Sequence, residues 1–291
     1  MTADTLAAGC KVNLSLKVTG RREDGYHTLE SLFWPLALPC DRLHVSREPY
    51  ESHSGLRFSC DDPALATPGN ILVKAYDAFA RATAFSPALS VFLEKSIPYG
   101  AGLGGGSSDA AALLLYLNDL AEKEGDCALN GAELTQLGAR LGADVPFFLR
   151  NDPALVRGIG DILEPVPDAV RKGLAGLHLV LVCPRVHVAT AWAFRAWDEK
   201  HPTGSLTNGD EQDTSPLVQG VCIQNDLCGV VFETYPELRK TLVRLYEFGA
   251  DAASMSGTGA SLFGLFSSPE SALNAVRFFH DSGERVFHHT M

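Results

Sequence analysis

What this sequence lacks narrows its function at once. No apolar run approaches the ~20 residues that cross a bilayer as a helix; Leu177–Cys183 is among the longest. Basic residues are outnumbered, 24 Lys and Arg against 35 Asp and Glu, for a net charge of -11. Binders of nucleic acid or membrane surfaces carry a basic face, so neither partner is expected, and any phosphate site has to concentrate its few cations locally. Cysteine occurs seven times without a CxxC pair. Such a scattered, odd set suits buried thiols in a reducing cytoplasm, the expected location, better than a disulfide framework or a zinc site. The segment Leu6-Ala-Ala-Gly-Cys10 has the small residues of a lipoprotein cleavage box. It lacks a basic start and a preceding apolar stretch and carries Asp4, so it reads as the lead-in to a strand. Internal repeats and low-complexity tracts are also missing.

Glycine, by contrast, is concentrated. Pro98–Ala112 places five glycines between Gly100 and Gly106 directly before the apolar stretch Leu113–Leu117. Glycine lets a main chain visit positive φ and approach a ligand closely. The free amides and macrodipole of the helix that follows then face an anion. A Walker loop is excluded, because no lysine follows the glycines. The GxGxxG match at Gly100, Gly102 and Gly105 lacks the alternating strands and helices of a dinucleotide fold. A plain turn capped by Ser107 or Ser108 would need one glycine or none. The loop therefore points to phosphoryl transfer.

Around it the pattern is α+β. Lys11–Val18 alternates like a half-buried strand, and Thr28–Leu38 and Arg42–Arg47 read as further strands, with turn chemistry at Gly20–His27. A helix over Asn70–Ala84, a strand at Leu89–Glu94, a helix from the glycine loop to about Glu124 and another over Ala132–Leu141 complete a first domain. Gly142-Ala-Asp-Val-Pro146 ends it as a helix terminator. Beyond come a hairpin at Ala154–Leu163, a core strand at His178–Cys183 and a helix at Thr190–Lys200. A polar surface loop is expected at His201–Pro216, then helices over Asp226–Phe248 broken near Pro236. A strand, a second glycine turn at Ser256–Gly259 and a strand fill Ala252–Phe266, and a last helix starts at Pro269.

The pattern Pro-x3-Gly-Leu-Gly-Gly-Gly-Ser-Ser-x-Ala-Ala, unbroken from Pro98 to Ala111, resembles the signature of the GHMP kinases. Lys11–Leu16, the Asp24-Gly-Tyr-His27 tetrad within Gly20–Leu29 and Leu141–Phe147 are similar to the 4-diphosphocytidyl-2-C-methylerythritol kinase branch. Gly158–Asp161, Asn225-Asp226 and Ser256–Ala260 follow in the expected order. The resemblance covers nearly the whole chain. It implies a two-domain α+β fold, with an ATP-binding domain over 1–160 built on an antiparallel sheet like that of a ribosomal protein domain. An α/β substrate domain over 161–291 and an active site in the cleft between them complete the implied architecture.

The resemblance also implies roles. The γ-phosphoryl of ATP would pass to the tertiary 2-hydroxyl of the erythritol unit, a step of the non-mevalonate isoprenoid pathway. Asp144 matches the catalytic aspartate that accepts the hydroxyl proton. Lys11 would lie beside it, holding it ionised and neutralising charge on the phosphoryl group. ATP would bind along Pro98, Gly100, Ala101, Gly102, Leu103, Gly104, Gly105, Gly106, Ser107 and Ser108, its adenine near Asn70, Ile71 and Lys95. Mg2+ would come with ATP, touching Ser107 or Ser108 and keeping several waters, without a dedicated protein cage. Tyr26 and Phe194 match the rings that stack on cytosine, and His27 its base-edge reader. Asn13, Thr190 and Thr258 are matched to further substrate contacts. Two departures are Cys10, where alanine is usual, and Asp109, where some relatives carry asparagine; a carboxylate there bears on metal contacts.

Two other readings compete. A mevalonate or homoserine kinase of the same superfamily would have no base for Tyr26, His27 and Phe194 to hold. A nucleotide sensor without catalysis would have no use for both Lys11 and Asp144. The oligomeric state, homodimer included, is not fixed by these residues.

Overall fold

A computed structural model describes residues 3–49, 55–125, 127–201 and 216–291. In chain order the elements are β1 (Ala3–Arg21), β2 (His27–Arg47), β3 (Leu56–Cys60), α1 (Ile71–Thr83), β4 (Leu89–Glu94), α2 (Gly105–Gly125), α3 (Gly131–Leu141), α4 (Val145–Arg150), β5 (Ala154–Arg157) and β6 (Ile162–Pro165). They continue with α5 (Asp168–Leu174), β7 (His178–Cys183), α6 (Thr190–Lys200), β8 (Leu217–Val218), β9 (Val221–Cys222), α7 (Cys228–Thr234), α8 (Pro236–Glu247), β10 (Ala252–Met255), β11 (Leu262–Phe266), α9 (Pro269–Asp281) and β12 (Arg285–Thr290). The fold is α+β, as the sequence pattern implies. The polar loop expected at His201–Pro216 falls almost wholly outside the described residues.

Two compact units share the chain. The first takes 1–10, 37–98 and 104–152, and the second takes 11–36, 99–103 and 153–291. In the first, β4 pairs antiparallel with Arg42–Arg47 of β2 and parallel with β3. The alternation Leu89, Val91, Leu93 turns one face of β4 inward, as a period of two requires. Leu72, Ala75, Tyr76 and Phe79 line the buried face of α1, the spacing of a helix packed on one side. Ala110, Ala111, Leu113, Leu114 and Leu117 bury α2, which packs against α1, α3 and α4.

Pro39 does not end β2, which runs unbroken through it. Residues 31–33 of β2 pair with β5 and 42–47 with β4; Pro39 lies between these two ladders, where its missing N–H costs neither of them a bond.

The second unit is built on an antiparallel sheet in the order β10-β11-β7-β12. Leu179–Cys183 of β7 is buried without alternation, as expected of a strand covered on both faces. Leu16, Val18, Val182, Trp197, Leu227, Phe266 and Phe279 belong to its core cluster.

Candidate active site

In the first unit, the glycine-rich loop expected to bind phosphate opens helix α2. Gly104 has φ 73°, and α2 begins at the next residue. The amides of its first turn have no partner within the helix, and Ser107 and Ser108 lie inside that turn rather than capping it. Gly105 is closely confined, whereas Gly106 has room for a side chain. A Cβ on Gly105 would come within 2.9 Å of the Ile97 side chain, and one on Gly106 would lie 3.8 Å from Ile71. The α3–α4 turn approaches the same place, since a Cβ on Gly142 would stand 3.6 Å from Ser107 Oγ. Asp144 occupies the N-cap position of α4, yet its carboxylate makes no capping bond to that helix.

Beneath the helix opening lies a buried ion triad. Lys95 Nζ pairs with Asp41 Oδ2 and, at 3.0 Å, with Asp109 Oδ2. Asp41 Oδ1 accepts from the amides of Ser96 and Ile97 at 2.5 and 2.7 Å. One oxygen of Asp109, Oδ1, is buried with no hydrogen-bond partner. Burial pushes the Asp109 carboxyl up to about 7, with the charge of Asp41 adding to the effect and Lys95 opposing it. Burial acts to lower Lys95, but its two carboxylates outweigh it and the ammonium is held above its ordinary value.

The second unit brings Lys11, Asn13 and the second glycine turn together. Lys11 is buried, donates to Asn13 Oδ1 at 2.6 Å, and sits over the Phe33 ring with 4.4 Å to its centroid. Asn13 Nδ2 donates to Ser31 at 2.9 Å, and the Asn13 amide to Ser256 Oγ at 3.1 Å. Ser256 Oγ donates in turn to the carbonyl of Gly102 at 2.9 Å. Gly102 has φ 74°, and a Cβ there would strike the Ser256 carbonyl; only glycine fits such a crossing. The turn is braced by Asn225, whose Nδ2 donates to the carbonyls of Met255 and Gly257 at 2.8 and 2.7 Å. Thr190 and Thr258 hydroxyls lie 3.2 Å apart.

A second cluster in this unit centres on His27. Its ring stacks on Phe194 with centroids 4.7 Å apart at 18°, and meets Trp197 edge-on at 5.9 Å. Its Nε2 lies 2.6 Å from Asp198 Oδ1. Tyr26 beside it is 62% exposed, a ring offered to solvent at the end of the Arg22–Tyr26 turn.

The chain matches known proteins. The family models for the GHMP kinases N terminal domain and GHMP kinases C terminal match residues 70–152 and 210–285. A 4-diphosphocytidyl-2-C-methyl-D-erythritol kinase of Solidesulfovibrio magneticus is 43% identical over 97% of this chain and 95% of its own length. One of Nitratidesulfovibrio vulgaris is 42% identical over 99% of each. The chain belongs to the 4-diphosphocytidyl-2-C-methyl-D-erythritol kinase family of the GHMP kinases. The crystal structure of a 4-(cytidine 5'-diphospho)-2C-methyl-D-erythritol kinase aligns with a TM-score of 0.75 at 33% identity, covering 98% of both chains. The expected GHMP kinase fold is thus shown, and ATP is the cosubstrate such a kinase uses.

With the GHMP family in hand, the anticipated residues divide clearly. Lys11, Asn13 and the turn holding Thr258 meet in one unit; in the same unit Thr190 meets Thr258 and His27 meets Phe194. Asn70, Ile71, Lys95, Gly104–Ser108 and Asp144 lie in the other. Asn70 caps α1, accepting from the Leu72 amide at 2.9 Å and donating to the Leu65 carbonyl, and Lys95 is held by two carboxylates. Three residues near these sites have no mark in the sequence, and a fourth, Ser256, has one of another kind. Asp41 and Asp198 carry no local pattern, since their partners are 54 and 171 positions away. His187 stacks on Tyr99 at 5.7 Å and fills the space beside Gly100, and again nothing local marks it. Ser256 was read only as the edge of a glycine turn, although its hydroxyl links Asn13 to Gly102.

Proposed function

We propose that this chain phosphorylates 4-diphosphocytidyl-2-C-methyl-D-erythritol on its 2-hydroxyl with ATP, in the non-mevalonate route to isoprenoid precursors. The observation that carries this reading is identity above 40% over nearly the full length to kinases of that name. Asp144 takes the hydroxyl proton; it lies in the α3–α4 turn, which approaches Ser107 in the first turn of α2. Lys11 offsets charge on the transferring group; its ammonium donates to Asn13 Oδ1 and lies over the Phe33 face. The α2 amides cradle phosphate, and the Ser256–Gly259 turn is a second backbone nest. The residues from Pro98 to Ser108, with Asn70, Ile71 and Lys95, form the nucleotide side. Asn13, Tyr26, His27, Thr190, Phe194 and Thr258 form the substrate side. Accordingly, nucleotide binding is assigned to 1–160 and completion of the substrate site to 161–291.

Mg2+ is the fitting metal. It takes hard oxygen donors and keeps most of its waters and nucleotide oxygens, and the two serine hydroxyls in the first turn of α2 are donors of that kind. Ser107 or Ser108 would touch it. When bound, it would neutralise charge on the β- and γ-phosphates. A cytoplasmic setting is favoured by seven free cysteines, and a small-molecule substrate without nucleic acid or membrane by the acidic charge. No helix among the described residues is long and apolar enough to cross a membrane.

An ADP-release assay with ATP and Mg2+ tests the reading against three acceptors: the cytidine diphosphate compound, mevalonate and homoserine. Turnover of the first alone supports it. Turnover of mevalonate or homoserine instead would keep the superfamily and remove the account of Tyr26, His27 and Phe194.

A further inference from the structure

Helix α6 carries Phe194, Trp197 and Asp198 at positions i, i+3 and i+4, which share one helical face. All three meet His27: Phe194 flat against it, Trp197 edge-on, and Asp198 through its Oδ1 at 2.6 Å from Nε2. The His27 side chain is 8% exposed and that of Asp198 22%, so the pair is sheltered from competing water. An ionised carboxylate only accepts; the hydrogen of this bond therefore belongs to Nε2. The second oxygen of Asp198 is 3.3 Å from Arg21 Nη1, which ties the carboxylate down from the other side. Among the described residues no group bonds His27 Nδ1, so that atom is what the ring has left to offer a ligand.

We propose that Asp198 is a positioning residue that sets the tautomer and orientation of His27, presenting Nδ1 as a hydrogen-bond acceptor to the exocyclic amino group of the pyrimidine. This rests on the reading of His27 as a base contact. The chemistry discriminates between bases, because cytosine carries a donor amino group where uracil carries an acceptor oxygen. A ring free to exchange tautomers would present a donor to that amino group part of the time. Ring nitrogens are assigned in this way wherever a second group fixes the other one.

Long-range 1H–15N correlation of imidazole nitrogens in the ligand-free protein, above the pH of imidazole titration, reads the tautomer without any variant. Hydrogen on Nε2 of His27 is expected, and hydrogen on Nδ1 overturns the proposal. Calorimetric titration with CDP and UDP, each for wild type, Asp198→Asn and Asp198→Ala, supplies the second readout. Both variants are expected to lose about tenfold in CDP affinity, to narrow the CDP preference over UDP, and to keep ATP affinity. Retention of the wild-type tautomer and of the CDP preference in both variants overturns the proposal. A wild type with hydrogen on Nε2 that binds neither CDP nor UDP would support the tautomer assignment and overturn both the base-contact role and the functional reading beneath it.

Discussion

Asp109 shows how much a single buried carboxyl can bias this protein. Its pKa is raised from 3.8 to about 7, first by burial, so across that interval the folded chain holds a proton that the unfolded chain has released. Its contribution favours folding fully below the unfolded value and is lost as pH rises through the folded one. Asp109→Asn, neutral at every pH, removes that slope. Urea midpoints taken without nucleotide or Mg2+ are expected to shift in favour of the variant relative to wild type as pH climbs from about 4 to about 7. A constant difference across the range would contradict the assignment. The sequence flagged Asp109 only as a departure at the edge of a motif. Its partners Asp41 and Lys95 lie 68 and 14 positions back, and a pairing of that kind leaves no local periodicity to read. The glycines were legible for the opposite reason. A close crossing such as Gly102 over Ser256 admits one residue type, so the constraint is written into the sequence itself.

Among the elements, those with a strong period or a sharp signal at their ends could be read directly. α1 has its Asn70 cap and four inward residues; β4 alternates; α8 starts at Pro236. α3 has a complete capping box, with the Asn130 side chain accepting from the Glu133 amide at 3.1 Å and Glu133 returning to the Asn130 amide at 2.9 Å. Asn130→Ala is expected to cost about 1 kcal/mol, seen as a lower denaturation midpoint with kcat and KM unchanged. An unaltered midpoint would show that tertiary packing alone holds that helix end. Other elements were missed because their signals are weak or tertiary. β12, Arg285–Thr290, is half histidine and threonine but pairs along all of its length with β7. β3 gains its order from a parallel ladder with β4. α4 begins within Gly142–Pro146, where proline at the first turn starts a helix as readily as it stops the preceding one; the terminator was visible and the new helix was not.

At the scale of the whole molecule, the chain makes two compact units from interleaved segments, whereas family signatures follow sequence order. β1 and β2 each contribute residues to both units, and the glycine loop divides between Leu103 and Gly104. Function was legible at this scale because its motifs are short, polar and glycine-rich and recur in a fixed order. The network of buried bonds beneath them was not, since Asn13, Ser256 and Gly102 become neighbours only in the folded chain. The central claim concerns chemistry at one hydroxyl, and phosphorus NMR of the reaction mixture tests it most directly. Incubation of the wild type with ATP, Mg2+ and 4-diphosphocytidyl-2-C-methyl-D-erythritol is expected to yield ADP and a new phosphomonoester coupled to no methine or methylene proton, as a phosphate on a tertiary carbon must be. Asp144→Asn is expected to form it about 10²- to 10⁴-fold more slowly. A phosphomonoester coupled to a carbinol proton, or ADP formed with inorganic phosphate alone, would contradict the account.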